Sequence, residues 1–302
     1  MNIGNLSRRD ALAHAGRLVG VGVLAESLAG SAFAADPPAR DRRRFRYCLN
    51  TATIRGQKLG LLKEIEVAAQ AGYDGIEPWI ETIQNYVKNG GTLADLRKRL
   101  NDAGLTVEDA IGFAEWIVDD DERRAKGLER AKNDMDLVAQ IGGKRLAAPP
   151  AGGGSMIKFD LQTSAERYRA LLEAGDQIGV VPQLELWGSS KILNRLGECV
   201  GLAMETGHPK ACVLADVFHM YKGGSNFKGI RLLGPDTIQM LHMNDFPADP
   251  PREKIDDSYR TFPGDGVAPL TDLLRVLSKT GGQTVLSLEI FNRKFWAEDA
   301  LV

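Results

Sequence analysis

Eight times between residue 45 and the C-terminus, a short apolar run of β-type residues gives way to a stretch whose apolar positions recur at helical spacing. The β-type runs are FRYCLN (45–50), YDGIEPW (73–79), LTVEDAIGF (105–113), KRLAAPP (144–150), VVPQLELWG (180–188), CVLAD (212–216), TIQMLHMN (237–244) and QTVLSLEIF (283–291). Helical spacing follows at 59–72, 92–103, 121–141, 161–179, 191–206 and 268–280, with a short piece near 227–233. Strands alternating with helices require crossover connections, hence parallel strands covered on their faces, and exclude an all-α or all-β fold. Eight such units within roughly 260 residues argue for a closed (β/α)8 TIM barrel, a single domain, over an open doubly wound sheet. The eighth helix has only FWAEDALV (295–302) to draw on. That is about two turns, a short final helix for sealing a barrel.

The first 35 residues stand apart. Paired arginines, Arg8 and Arg9, precede a mild Gly/Ala/Val/Leu stretch that ends in Ala32-Phe33-Ala34, a small-x-small cleavage pattern. This resembles a twin-arginine export signal. The expected organisation is therefore a removed signal over 1–35 and a barrel over 36–302, placed in the periplasm or otherwise exported. The leader is too short and too rich in glycine for a stable membrane span, and no later stretch qualifies. A formal net charge of -2 leaves no electrostatic footprint for nucleic acid, and the basic cluster RDRRRFR (40–46) is short. Three cysteines, Cys48, Cys199 and Cys212, have no metal-type spacing. The glycine-rich PPAGGGS (149–155) lacks the spacing of a P-loop and reads as a βα loop at the barrel mouth.

In such a barrel the chemistry sits at the C-terminal ends of the strands. Glu185 lies near the end of the fifth strand, Asp216 ends the sixth, His242 is near the end of the seventh and Glu289 near the end of the eighth. Four consecutive strands each deliver one metal-type ligand at equivalent height. Three carboxylates and an imidazole suit one hard or borderline divalent cation, with positions left open for substrate oxygens. Histidines are few: His14 is in the leader and His208 falls in an αβ loop at the opposite face. His219 and His242 both fall beside the acidic set. Further candidates for substrate binding are Arg260, Glu77 at the end of the second strand, and Trp116 and Lys158 in loops at the same mouth. Trp187 is a stacking candidate. Asn244 and Asp245 read as ordering the loop after the seventh strand, with Asp245 an alternative partner for orienting His242.

Glu, Asp-x-x-His, His and Glu on the last four strands resemble the sugar phosphate isomerase/epimerase superfamily of xylose-isomerase-like barrels. ADVFHMYKGG, LHMNDFP and YRTFPGDGVAPL carry the likeness, the last looking most like inosose-isomerase-type members. The resemblance implies one divalent ion, Mn2+ or Mg2+ first and Co2+ or Zn2+ next, held by Glu185, Asp216, His242 and Glu289, with Glu185 and Glu289 also acting as the acid/base pair. It implies that His219 hydrogen-bonds a substrate oxygen. The function expected is then metal-dependent isomerisation or epimerisation of a keto sugar or inosose, by proton abstraction next to the carbonyl through an enediolate. Export favours a second reading, a periplasmic 3-keto-glycoside lyase or hydratase using the same enolisation. A non-catalytic sugar-binding protein is the different-class alternative. All three have a small carbohydrate as partner, and homo-oligomerisation is left open.

Overall fold

The computed structural model describes residues 44–155 and 159–301. The expected leader and Lys158 lie outside the described residues. Among the described residues there are eight strands: β1 (Phe45–Asn50), β2 (Gly75–Glu77), β3 (Thr106–Val107), β4 (Arg145–Ala148), β5 (Val181–Glu185), β6 (Val213–Asp216), β7 (Met240–Met243) and β8 (Thr284–Leu288). Every neighbouring pair is parallel, in the order β3-β2-β1-β8-β7-β6-β5-β4. The seam between β3 and β4 is closed by one residue. Ile111 bridges to Trp79 on one side and Ala147 on the other. The ring of strands is thus complete, a (β/α)8 barrel.

Among the described residues the helices are α1 (Leu61–Gln70), α2 (Ile80–Lys88), α3 (Leu93–Asp102), α4 (Asp121–Gln140), α5 (Leu161–Ile178), α6 (Leu196–Glu205), α7 (Val217–Lys222) and α8 (Leu270–Leu277). Side-chain caps set several starts. Thr92, Asp120 and Asp160 accept from the backbone N–H three residues on, opening α3, α4 and α5. α5 stops at Gly179, whose φ of 86° is a left-handed cap that glycine adopts without steric cost. No helix among the described residues is long and apolar enough to cross a membrane.

The two-residue period of the strands sorts their side chains into two populations. Leu49, Ile76, Leu184, Val213, Ala215, Leu241 and Leu286 face outward and join the main core under the helices. Cys48, Leu214, Met240 and Val285 face inward and pack with Ile111 and Ala147 in a small plug inside the barrel. Two residues above each plug residue, the inward positions become polar: Asn50, Asp216, His242 and Ser287, with Glu289 a further two on. The period that fills the barrel therefore also aims the site.

Three departures from the sequence reading have local causes. α2 occupies 80–88, where no helix is expected; Ile80 and Ile83 bury its inner face at a spacing of three. After β6 the chain turns helical at once, as α7, ahead of the short piece expected near 227–233. The last helix is a single 3₁₀ turn, Phe295–Ala297, rather than two turns. Trp296 anchors that turn by laying its side chain against Gly56, where a Cβ would sit 2.1 Å from the Trp296 Cβ. Its indole N–H donates to the Ala52 carbonyl at 3.1 Å, and Gln57 Nε2 donates to the carbonyls of Phe295 and Glu298. The loop after β1 thus clasps the C-terminal segment where an eighth helix would begin.

Candidate active site

Glu185 is the last residue of β5, Asp216 the last of β6, His242 the third of β7, and Glu289 follows β8 directly. Adjacent strands are in register at this height, with Asp216 opposite His242. All four side chains are buried. His242 Nδ1 is their common centre. It lies 3.2 Å from Glu289 Oε2, 3.6 Å from Asp216 Oδ2 and 3.8 Å from Glu185 Oε1.

The other imidazole nitrogen settles what Nδ1 can be. His242 Nε2 is 2.9 Å from Glu77 Oε1. An ionised carboxylate only accepts, so Nε2 carries the proton. In the neutral ring Nδ1 then presents a lone pair to three carboxylates, and it has no hydrogen-bond partner. Such an arrangement calls for positive charge at its centre. Burial alone would lower the His242 pKa, but Glu289 and Glu77 outweigh it and hold it well above the ordinary value. A divalent cation answers the same demand. Asp216, His242 and Glu289 offer ligand atoms all within 4.8 Å of one another, and Glu185 Oε2 is a further buried oxygen without a partner. One nitrogen and several carboxylate oxygens fit such an ion.

The carboxylates are not equivalent. Burial pushes Glu185 up to about 8, with Glu289 and Asp216 adding to the shift and His242 opposing it. Glu289 is held below the ordinary range: burial would raise it, but His242 and Arg260 prevail. Asp216 behaves likewise, chiefly through Arg260. It is also tied structurally. Asp216 Oδ1 accepts from the His219 backbone N–H at 2.7 Å and so caps α7. The Asp-x-x-His spacing is a helix cap as well as a pair of site residues.

Arg260, 1% exposed, reaches two of the four, Asp216 and Glu289. Its Nη1 donates to Asp216 Oδ2 at 2.7 Å and Glu289 Oε2 at 2.8 Å, while Nη2 donates to Asp257 Oδ1 at 2.6 Å. Nη2 also lies 3.2 Å from His219 Nε2. A guanidinium cannot accept, so His219 Nε2 is the accepting nitrogen and the proton sits on Nδ1. That Nδ1–H is buried without a partner, and His219 lines the cavity above the carboxylates. Burial lowers the His219 pKa and keeps the ring neutral.

The cavity has a volume of 620 Å3 and is lined by Glu185, His219, Arg260 and Glu289 at its polar end. Of the residues expected near substrate, the structure brings His219, Arg260, Glu185 and Glu289 together there, and Trp187 joins the lining. Glu77 does not meet the cavity. It is fully buried beneath His242 and accepts from His242, from Asn50 Nδ2 at 2.9 Å and from Ser287 Oγ at 2.6 Å. Trp116 is also elsewhere, 2% exposed, its indole N–H donating to the Pro149 carbonyl and its ring packed on Tyr168. A loop position in sequence says nothing of which way an indole points. His208, at the opposite face, pairs with Asp176.

Sequence reasoning also misassigned partners. Glu77, rather than Asp245, orients His242; Asp245 accepts from the N–H groups of Phe246, Gly264 and Ala268 and orders its own loop. Asn244 does more than order a loop, since its Nδ2 donates to Asp216 Oδ2 at 3.2 Å. Asn50 was missed. It donates to both Glu77 and Glu289, and its place as the last residue of β1 was the available signal.

The chain belongs to the xylose isomerase-like TIM barrel family, whose match runs over residues 65–302. A 3-dehydroshikimate dehydratase of Pseudomonas aeruginosa is 27% identical over 250 residues, covering 78% of this chain and 37% of that protein. This chain therefore spans little more than a third of that relative's length. An inosose isomerase of Halalkalibacterium halodurans is 24% identical over 273 residues, covering 85% of this chain and 92% of that one. Among solved structures, an IolI protein with a bound zinc atom superposes with a TM-score of 0.77 at 21% identity, over 85% of this chain and 92% of that one. The last likeness is one of fold.

Proposed function

We propose that this protein is an enzyme that removes the proton next to the carbonyl of a polyhydroxylated ring, a keto sugar or inosose, at a site holding one divalent cation through Glu185, Asp216, His242 and Glu289. The observation that carries the reading is His242 Nδ1, buried without a hydrogen-bond partner among three carboxylates from β5, β6 and the end of β8. That an IolI structure of the same fold holds a zinc atom supports a cation here, and the inosose isomerase supports the substrate class. When bound, the cation polarises the substrate carbonyl as a Lewis acid and makes the neighbouring C–H acidic.

The chain's own residues supply the remainder. Glu185 and Glu289 come from strands separated by two others, so their carboxylates reach the cavity from different directions. One takes the proton and the other returns one, which inverts the carbon; return to the former carbonyl carbon instead, with the neighbouring hydroxyl's proton passing to the former carbonyl oxygen, gives an isomer. His219 Nδ1–H donates to a substrate oxygen. Arg260 fixes His219, Asp216 and Glu289 in one arrangement and contributes fixed positive charge where negative charge develops.

A second outcome of the same proton removal is elimination. If the carbon beyond bears an oxygen substituent, the electron pair of the broken C–H bond forms a C=C bond. The C–O bond then breaks and the leaving oxygen takes up a proton. The dehydratase relative favours this branch. Incubation in D2O with Mg2+ across ketoses, inososes and 3-keto-glycosides separates the outcomes. Deuterium in recovered substrate or epimer marks the isomerase branch, and a released alcohol marks the lyase branch. Neither product from any of the three classes would contradict the reading and leave a sugar-binding protein.

We also propose that residues 1–35 form a removed export signal ahead of the barrel. N-terminal sequencing of the cell-made protein should start at Ala35 or Asp36, in a periplasmic fraction. An intact Met1 terminus in the cytosol would contradict it.

A further inference from the structure

Above the carboxylates the cavity changes character. Phe291, Trp79, Phe113 and Trp187, from the ends of β8, β2, β3 and β5, follow one another around its mouth. Their ring centroids are 6.3, 5.2 and 6.0 Å apart in that order, within the range of interacting aromatic pairs. All four remain partly exposed. Trp79 is held rigid. Its indole N–H donates to Asn50 Oδ1 at 3.1 Å, and the Arg55 guanidinium covers its ring at 3.7 Å. Beside Phe291 the lining turns polar at Arg260, whose guanidinium is 5.1 Å from that ring centre, and continues with His219 and Asp257.

Two features of this arc bear on the substrate. Size is the first: a single sugar ring fills only a fraction of 620 Å3, whereas cavities of roughly 300–1,000 Å3 take drug-sized ligands. Polarity is the second. A second sugar ring carries hydroxyls around its whole edge, and each loses water on entry unless a partner is there. Among the described residues the arc offers few partners: the Trp79 N–H is already engaged, and the hydroxyl and amine groups of Ser189, Ser190 and Lys191 lie on one loop. A flat apolar ring has no such need and stacks against aromatic faces.

Building on the enolising site proposed above, we propose that the substrate is a keto-glycoside whose second ring is aromatic, with the sugar ring at the carboxylates and the aryl aglycone against Trp79, Phe113 and Trp187. The aryl group also suits the elimination branch, since a phenolic oxygen leaves more readily than an alkyl one.

Binding of unoxidised glycosides tests the arc apart from the chemistry, because without a ketone they cannot react. Calorimetry on the metal-loaded protein should find phenyl β-glucoside bound at least 10-fold more tightly than methyl β-glucoside. Trp187→Ala and Phe113→Ala should each bring that ratio toward one. Equal binding of the two, no binding of the phenyl glycoside at millimolar concentration, or cellobiose binding as tightly as it would overturn the proposal. Failure of the enolisation reading looks different: methyl 3-keto-glucoside would gain no deuterium in D2O while the phenyl-to-methyl binding ratio persisted.

Discussion

At the residue scale the site is a problem of charge, and its solution is a set of shared partners. Glu77 shows this best. Its carboxylate holds His242 Nε2–H from 165 residues away in sequence, fixing the tautomer that leaves Nδ1 free. Partners of this kind typically change metal affinity 10–100-fold. Glu77→Gln should therefore weaken Mn2+ or Zn2+ binding by one to two orders of magnitude in a chelator competition, with the far-UV spectrum unchanged. Arg260 faces a different demand. Removing it leaves Asp216 and Glu289 buried with less positive charge, a loss of about 3–5 kcal/mol when one partner of a buried pair goes. Arg260→Ala should lower the metal-free melting temperature sharply, and added metal should recover part of the loss. The four metal-type residues were legible in sequence because each lies at or next to the C-terminal end of a strand. The roles of Glu77 and Asn50 were not, since they depend on contacts between β1, β2, β7 and β8 that only the closed barrel creates.

At the scale of elements, the strand positions and most helices follow from the apolar periods, and the alternation within each strand decides which residues enter the barrel. What periodicity does not reveal is how loops seat on one another. The loop after β5 packs so closely on α7 that a Cβ on Gly223 would lie 1.7 Å from the Asn194 carbonyl oxygen, and one on Gly188 2.4 Å from the His219 carbonyl oxygen. His219 is thus held by its neighbours' lack of side chains as well as by the Asp216 cap. Gly223→Ala should cost about 1–3 kcal/mol, the usual range for overpacking, and should also weaken substrate binding by moving His219. Gly229→Ala, with nothing within 4 Å, is the control and should be nearly silent in the same denaturant titration. The final element escaped the sequence reading for a related reason: Trp296 fits there only because residue 56 is glycine.

At the scale of the whole molecule, two buried acids away from the site tie stability to pH. Burial raises Glu64 in α1 to about 7 and Asp134 in α4 to about 6, Arg55 and Arg130 respectively opposing the shift. Both folded values lie above the unfolded ones. Their contribution is fully present below the unfolded carboxyl range and is lost as pH rises through about 6 and then about 7. Glu64→Gln should therefore gain stability relative to the parent between pH 5 and pH 8, by up to about 3 kcal/mol at 1.36 kcal/mol per pKa unit. Parallel stability curves for the two proteins would refute the assignment.

The barrel, its closure by Ile111 and the Trp296 clasp all serve one small volume around His242 Nδ1, where Glu185 and Glu289 reach the substrate cavity from different strands. The most direct measurement is solvent deuterium incorporation into a keto-glycoside or inosose, read by mass spectrometry, in the metal-loaded parent, Glu185→Gln and Glu289→Gln. The account predicts incorporation by the parent and at least a 100-fold loss of its rate in each variant, within the range a positioned acid or base contributes. Incorporation at the parent's rate in both variants would contradict it.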